Sequence, residues 1–308
     1  MVTVDLITGF LGSGKTTFLT GYVSYLLSKG QKVGILEYDY GAINIDMLLL
    51  GKLRGENCEL EMLAAACDED CLKRRFKTKL IAMAMSGYDR VVIEPSGIFD
   101  MDQFFDTLRD APLDNWYEIG SVITVVNAGL NENMSKEEDF LLASQAACAG
   151  RIVFSRTQLY DADTLERTKE HIQRACKEIQ CNKYFPVFLE KDWKELKDSD
   201  YMELADCGYR VNDYIKVIAG SEMKFSNICF LDLSYDLLGL KAKVSALFSD
   251  RKYGNVIRVK GFIHEEGKNY LVNATDYELT MEESALGGKT IIVIGRDLNE
   301  SAVRELFS

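Results

Sequence analysis

The chain has 308 residues, of which 47% are hydrophobic, and its formal net charge is −12 at pH 7. This length can bury a sizeable core, whereas the acidic balance argues against a broad surface for nucleic acid or anionic membrane, since phosphate binding needs clustered Lys and Arg. Eight scattered cysteines, no export signal and no apolar run near the roughly 18 residues of a membrane span predict a cytoplasmic protein with reduced thiols.

The first 190 residues predict an α/β domain. Short apolar runs alternate with longer helical patterns, which is typical of a parallel sheet with crossover helices. The predicted strands cover residues 2–8, 32–38, 90–95, 121–127, 151–155 and 184–188. Helical patterns cover 14–30 and 161–180, and the second begins with Asp161 and Asp163, whose carboxylates suit the free amides of a helix N-terminus.

A phosphate-binding motif follows the first predicted strand. Residues 9–16, GFLGSGKT, match the P-loop pattern GxxxxGK[ST] directly before a predicted helix. Lys15 would supply a cation for the β- and γ-phosphates, and Thr16 a hydroxyl for Mg²⁺. Backbone N–H groups of the glycine-rich turn and of the helix N-terminus would face the phosphates. The predicted nucleotide contacts are Gly9, Gly12, Ser13, Gly14, Lys15, Thr16 and Thr17; the alternative is a turn that merely connects strand and helix.

An acidic strand supplies the second part of the expected site. Glu94 ends the apolar strand at 90–95 and can anchor Mg²⁺ through water. Gly97 follows in a turn and can bring a backbone N–H to the γ-phosphate. Without the P-loop upstream, a strand-end carboxylate beside a turn glycine would be the simpler interpretation.

The stretch LEYDYGAINID, residues 36–46, is a candidate nucleotide-sensing loop. Such loops in nucleotide switches become ordered by the γ-phosphate and Mg²⁺. Its carboxylates, Glu37, Asp39 and Asp46, are all candidates for a catalytic base, and solvated strand-end carboxylates are the alternative. The residues with predicted catalytic roles are Lys15, Thr16, Glu94 and Asp39.

The pattern changes after residue 190. Residues 191–215 are polar and irregular and predict a connecting region between a nucleotide-binding domain, 1–190, and a small α+β domain, 216–308. Antiparallel strands are expected within 226–236, 254–275 and 289–298, and helices over 237–250 and 299–307.

Motifs along nearly the whole chain resemble one family. GFLGSGKTTFL, EYDYGAINID, IEPSG, SVITVVNA and RIVFSRTQ occur in the order and spacing of the CobW/HypB/UreG family, and YGNVIRVKGFI and IIVIGRDLNESAVRELF resemble the CobW C-terminal domain. The resemblance implies a P-loop GTPase that acts as a metallochaperone or cofactor insertase. It implies GTP, with ATP as the alternative, together with Mg²⁺ and a Zn²⁺, Co²⁺ or Ni²⁺ cargo. The implied partner is a client metalloenzyme or corrinoid-dependent protein, and a second copy of the chain is a further candidate partner.

The cysteine motif departs from the family pattern. Where the family has CxCC, this chain has LAAACDEDCLKRRF, which leaves Cys67 and Cys71. In a helix these two thiols would share one face, and the acidic residues between them could add an oxygen ligand. The candidate transition-metal ligands are Cys67 and Cys71, together with Glu37 from the candidate nucleotide-sensing loop. The alternative is that the thiols are packed.

The base-reading turn also departs from the family pattern. Ser155, Arg156, Thr157 and Gln158 stand where relatives usually have Asn-Lys-x-Asp. An Asp accepts from two guanine donors, whereas the Gln158 amide offers one acceptor and one donor group and can match adenine. Arg156 could stack on the base. GTP remains the expected nucleotide, with weakened discrimination against ATP; Ser155, Arg156 and Gln158 complete the predicted nucleotide contacts.

A second function is compatible with these residues. The chain could be a regulatory or assembly protein, in which ATP or GTP binding drives association with a partner while the altered cysteine segment merely packs.

Overall fold

The structure is a computed structural model that describes residues 1–39, 45–64, 69–97, 99, 101–181, 187–211, 225–276 and 278–307. It confirms the predicted fold class: a P-loop-type parallel sheet with flanking helices, and a C-terminal antiparallel sheet with helices. In these ranges, no helix combines the length and the apolar character that a membrane span requires.

The first sheet is parallel and has the strand order β3-β2-β4-β1-β5-β6-β7. Its strands are β1 (Val2–Thr8), β2 (Val33–Asp39), β3 (Cys58–Ala64), β4 (Arg90–Pro95), β5 (Tyr117–Asn127), β6 (Arg151–Ser155) and β7 (Phe188–Leu189). The strand β1 lies between β4 and β5, and its apolar residues are buried on both faces. Because the strands are parallel, the residues that follow β1, β2, β4 and β6 meet at one edge of the sheet.

Helices connect these strands. They are α1 (Lys15–Ser28), α2 (Ile45–Leu50), α3 (Glu69–Ala84), α4 (Met101–Leu108), α5 (Leu113–Trp116), α6 (Lys136–Cys148), α7 (Ala162–Glu178) and α8 (Asp198–Ala205). The predicted start of α7 is confirmed, since the Asp161 carboxylate accepts a hydrogen bond from the Thr164 amide at 2.8 Å. This bond satisfies one of the free amides of the first turn.

The edge strand β3 and the helix α8 are among the elements that the sequence does not predict. The edge strand β3 alternates Glu59 and Glu61 with apolar residues, so it lacks the continuous apolar run of the central strands. The helix α8 lies within the stretch that reads as polar and irregular. It is held by tertiary contacts, among them the Tyr201 ring stacked on Tyr25 of α1 at 5.6 Å between centroids. Packing therefore overrides weak local signals at both places.

A buried ion pair lies within the first sheet. The Asp5 carboxylate of β1 accepts from Arg90 of β4 at 2.6 Å, from the Tyr22 hydroxyl at 2.7 Å and from the Ser121 amide at 2.8 Å. Burial raises the pKa of Asp5, although the Arg90 charge and these hydrogen bonds oppose the shift. Arg90 also donates to the Ala205 carbonyl at 3.2 Å, which ties the end of α8 to the sheet.

The second sheet is antiparallel, with the strand order β11-β10-β9-β12-β8. Its strands are β8 (Phe225–Phe230), β9 (Asn255–Glu265), β10 (Lys268–Ala274), β11 (Leu279–Ser284) and β12 (Thr290–Arg296). The helices α9 (Leu237–Ser249) and α10 (Glu300–Leu306) pack on it around a core that includes Leu240, Val293 and Val303. The turn between β9 and β10 matches the predicted hairpin within 254–275.

The chain forms two compact units, and their division is not a single cut in the sequence. The first unit comprises residues 1–40 and 50–218, and the second comprises 41–49 and 219–308. Within the second unit, Lys260 of β9 donates to the Asp46 carboxylate at 2.8 Å, and both side chains are buried. The short segment 41–49 therefore belongs with the C-terminal residues.

Candidate functional site

The phosphate loop connects β1 to α1, and its glycines determine its shape. Gly9, Gly12 and Gly14 have φ angles of 146°, 76° and 99°, a region that L side chains rarely adopt. A Cβ at Gly9 would lie 2.2 Å from the Val125 carbonyl oxygen, so even alanine does not fit. No side chain among the described residues caps the first turn of α1. The loop is thus a cradle whose backbone amides, including those of the helix N-terminus, suit a phosphate group.

A buried hydroxyl also fits this use of the loop. The Ser13 Oγ has no hydrogen-bond partner within the described residues, although Ser13 is only 3% exposed. A buried polar atom in this state is costly unless a ligand or water satisfies it.

The two polar motif residues at the start of α1 are both engaged. The Lys15 Nζ donates to the Gly9 carbonyl at 3.0 Å, so its side chain folds over the loop. The Thr16 hydroxyl donates to Glu94 Oε1 at 2.7 Å, which joins the P-loop to the end of β4. Residues that are 78 positions apart in the chain thus meet as a hydroxyl and a carboxylate, which are the oxygen ligands that suit Mg²⁺.

A second carboxylate lies beside Glu94. Glu37 of β2 pairs in register with Glu94 of β4, and both side chains are 3% exposed. Because neighbours in register point to the same face of a sheet, two buried carboxylates stand side by side there. Carboxylate oxygens suit Mg²⁺, and the pair lies beside the Thr16 hydroxyl that Glu94 contacts, so this edge of the sheet has the donor set of a cation site.

Gly97 approaches the P-loop closely. A Cβ at this position would lie 2.5 Å from the Leu11 amide nitrogen, so the close packing of the two loops requires glycine. The Gln145 side chain of α6 donates to the Gly97 carbonyl at 3.1 Å and is fully buried. Nothing in the sequence predicts a role for Gln145, since a lone glutamine in a helical pattern is typical of a solvated face.

The remaining sensing-loop predictions have different outcomes. Asp39 ends β2, but its side chain and residues 40–44 lie outside the described residues, so its catalytic role stays a prediction. Asp46 is bonded to Lys260 within the second unit.

The base-reading turn lies against the P-loop. Ser155 ends β6 and is buried, and Arg156 follows it in a left-handed conformation with φ 59°. The Arg156 guanidinium donates to the Gly12 carbonyl at 3.1 Å. Gln158 is exposed in the short 3₁₀ helix 157–159. The turn and the phosphate loop therefore meet, as binding of one nucleotide requires, and the base-contact roles stay predictions.

The cysteine segment is only partly described. Cys71 lies in α3, half-buried, and lines a cavity of about 560 Å³ together with Met62, Arg74 and Lys79. Cys67 lies outside the described residues, as do the side chains of Glu69 and Asp70. Within the described ranges, no three His, Cys, Asp or Glu side chains are grouped as metal ligands would be.

Other cysteines have the character of packed thiols. Cys58 and Cys148 are buried in the first unit. Burial raises the pKa of Cys58 to about 11, and burial likewise raises the pKa of Cys207 to about 11. Thiols that stay protonated at neutral pH are poor nucleophiles and poor metal ligands.

Comparison with protein families gives two matches that together cover most of the chain. The nucleotide-binding domain of CobW/HypB/UreG matches residues 3–183. The C-terminal domain of the cobalamin synthesis protein cobW matches residues 239–308.

Individual relatives are more distant. The zinc chaperone YjiA of Escherichia coli (strain K12) is 27% identical over 177 residues, which cover 56% of this chain and 54% of YjiA. The zinc chaperone CobW of a Sinorhizobium species is 23% identical over 350 aligned positions, covering 98% of this chain and 95% of that protein. The chain thus spans about half the length of the first of these relatives. The solved Zn(II)-bound YjiA GTPase from E. coli is 19% identical, with a TM-score of 0.39 and coverage of 99% and 98%.

Proposed function

The chain belongs to the CobW/HypB/UreG family, and from this premise we propose that it is a Mg²⁺-dependent P-loop nucleoside triphosphatase. Its nucleotide state would gate the delivery of a metal ion or metallocofactor to a client protein. GTP is the proposed nucleotide, and slow turnover would suit a switch. The observation that carries the proposal is the meeting of Thr16, Glu94 and Gly97 at the phosphate loop.

The phosphate loop would bind the nucleotide by its backbone and one cation. Its inward N–H groups and the N-terminus of α1 would accept the negative phosphates. Lys15 would exchange its contact with the Gly9 carbonyl for the β- and γ-phosphate oxygens, which offer a charged partner in place of a neutral one. Ser13 Oγ would gain a hydrogen-bond acceptor that the described residues do not supply.

The cation site would be built from the end of β4 and the start of α1. The Thr16 hydroxyl would bind Mg²⁺ directly, and Glu94, with Glu37 beside it, would hold its water shell. Bound Mg²⁺ supplies charge neutralisation on the phosphate oxygens during transfer. A divalent cation held at this site would also reduce the electrostatic repulsion between the Glu37 and Glu94 carboxylates.

The γ-phosphate would be sensed by Gly97. Its N–H would turn toward the terminal phosphate, and the hydrogen bond from Gln145 to its carbonyl would link that movement to α6. Hydrolysis would remove the contact and release the turn, which is the usual logic of nucleotide switches.

The cargo is proposed to be zinc, because relatives named as zinc chaperones include YjiA and the CobW protein of Sinorhizobium. Co²⁺ and Ni²⁺ are the alternatives. Cys71, with Cys67, is the proposed thiolate pair, and a client or second subunit would have to complete the ligand set. The proposed setting is cytoplasmic, where such thiols are kept reduced.

The regulatory or assembly function is the second candidate. It is favoured by one observation: Cys71 lines its cavity beside Arg74 and Lys79, whose positive charges oppose binding of a metal cation there. In this case nucleotide binding would drive association with a partner and the cysteines would only pack.

Calorimetric titration with GTP and ATP analogues, with and without Zn²⁺, Co²⁺ and Ni²⁺, tests both candidates. We expect the wild type to bind triphosphate with Mg²⁺, and Lys15→Ala to lose tight binding because it removes the motif cation. The double variant Cys67→Ser with Cys71→Ser should lose stoichiometric metal but keep nucleotide. Unchanged nucleotide affinity of Lys15→Ala would refute the P-loop assignment, and identical metal titrations would favour the second candidate.

A further inference from the structure

One aromatic side chain joins the strand that leads into the base-reading turn to the phosphate loop. Trp193 lies in the 3₁₀ helix 193–195, shortly after β7, and is half-buried. Its Nε1 donates to the Phe154 carbonyl at 2.9 Å, one residue before Ser155. The indole is thus bonded to the end of the strand from which the turn begins.

The same ring covers the start of α1. Its Cη2 lies 3.1 Å from the point where a Cβ on Gly14 would stand, and its Cζ3 lies 3.5 Å from that point. The ring also packs against Phe18 of α1, with 5.5 Å between centroids. Trp193 therefore contacts the end of β6, from which the base-reading turn begins, and lies against the phosphate loop and α1.

The small Ser155 leaves room for this arrangement. Its Cβ lies 3.6 Å from the same point above Gly14, so serine and indole share the space beside the loop. The Ser155 hydroxyl makes two long contacts: it donates to the Val126 carbonyl at 3.5 Å and accepts from the Arg156 guanidinium at 3.5 Å. The shorter contacts here come from Trp193, which donates to the Phe154 carbonyl just before the turn, and from Arg156, which donates to the Gly12 carbonyl of the loop.

We propose that Trp193 is a positioning residue for the nucleotide base: it holds the turn 155–158 against the phosphate loop before the nucleotide binds. This inference rests on the proposed nucleotide binding. A turn that is already in place loses less conformational freedom when a base docks, so more of the contact energy appears as affinity. The effect concerns the nucleoside part of the ligand, because the phosphates are bound by the loop itself.

The test compares GTP with inorganic triphosphate, which has phosphates but no base. Trp193→Ala should weaken Mg²⁺–GTP binding about tenfold, which corresponds to the ordering of a freed turn. Binding of inorganic triphosphate should change less than about twofold by the same reasoning. Trp193→Phe, which keeps a ring but lacks the N–H, should show an intermediate loss. Trp116→Phe is the matched control, since Trp116 is 37% exposed on α5.

A fluorescence measurement keeps the test independent of how well Trp193→Ala folds. The chain has two tryptophans, so the Trp116→Phe protein reports on Trp193 alone. Its emission should change on addition of GTP, whereas Trp193→Phe should show no such change. Equal losses for GTP and inorganic triphosphate, or a Trp193 emission that ignores bound GTP, would overturn the inference. Failure of the wild type to bind GTP at all would instead overturn the proposed function.

Discussion

Replacing Gly97 by alanine should damage nucleotide hydrolysis through a steric conflict that the structure measures. The added Cβ would stand 2.5 Å from the Leu11 nitrogen and 2.9 Å from the Leu11 Cα and the Phe10 carbonyl carbon. All three are backbone atoms of the phosphate loop, so the clash cannot be relieved by rotation of a side chain. Ordinary contact begins near 3.4 Å, so the two loops must separate by roughly 1 Å or distort.

A displacement of about 1 Å at a reacting centre can cost on the order of a hundredfold in rate. We therefore expect Gly97→Ala to lower kcat/KM for GTP by about that factor. Binding of GDP should fall far less, because the diphosphate lacks the group that Gly97 would contact. Steady-state phosphate release and calorimetry with GDP provide the two measurements.

Gly51→Ala is the matched control. Among the described residues, apart from its two chain neighbours, no heavy atom lies within 4 Å of the Cβ that Gly51 would gain, and Gly51 belongs to the same unit as Gly97. This variant should hydrolyse GTP as the wild type does. If Gly97→Ala also keeps hydrolysis within about twofold, the close approach of the two loops is unimportant to catalysis, and the sensing role of Gly97 is wrong.

Three further changes test other parts of the structure. Glu94→Gln should lower Mg²⁺-dependent hydrolysis roughly 10- to 100-fold while triphosphate binding changes less; equal losses in a kinetic and a calorimetric assay would contradict its Mg²⁺ role. The wild type should bind GTP less than about a hundredfold more tightly than ATP, and Gln158→Asp should increase this preference about tenfold in competition binding, because a carboxylate accepts from both guanine donors. A wild-type preference for GTP of a thousandfold would refute this reasoning. Arg90→Met should lower the free energy of unfolding in urea by about 3–5 kcal/mol, because it leaves the buried Asp5 carboxylate without the Arg90 charge, and Asp5→Asn in that background should recover part of the loss. A loss under about 1 kcal/mol would show that Asp5 is already neutral.

The strands that carry the phosphate site were predictable because they are buried on both faces. The bounds of β1 and β6 match the apolar runs at 2–8 and 151–155. By contrast, β3 at the edge of the sheet is not predicted, because Glu59 and Glu61 interrupt its apolar residues. The hydrophobic pattern of a segment therefore predicts strands that are buried on both faces, and it is less informative for an edge strand, which pairs with only one other strand.

The motif residues of the site can be predicted from the sequence because their signal is also local. The roles of Lys15 and Thr16 follow from their spacing within one loop. The pairing of Glu37 with Glu94 depends on which strands are neighbours, and that is a property of the assembled sheet. Trp193 stands alone in a polar stretch, so nothing local marks it as a contact of Gly14. Side chains that act across elements become visible only when the topology is known.

The division of the chain into two units has a consequence for how the protein can be taken apart. The polypeptide passes between the units three times, after residues 40, 49 and 218. A fragment that ends before residue 219 would carry segment 41–49 without the strand that bears Lys260, and would leave the Asp46 carboxylate without that ammonium group. The isolated C-terminal fragment would in turn lack Asp46 beside Lys260. Neither half is therefore a self-contained module that could be exchanged between proteins by one splice.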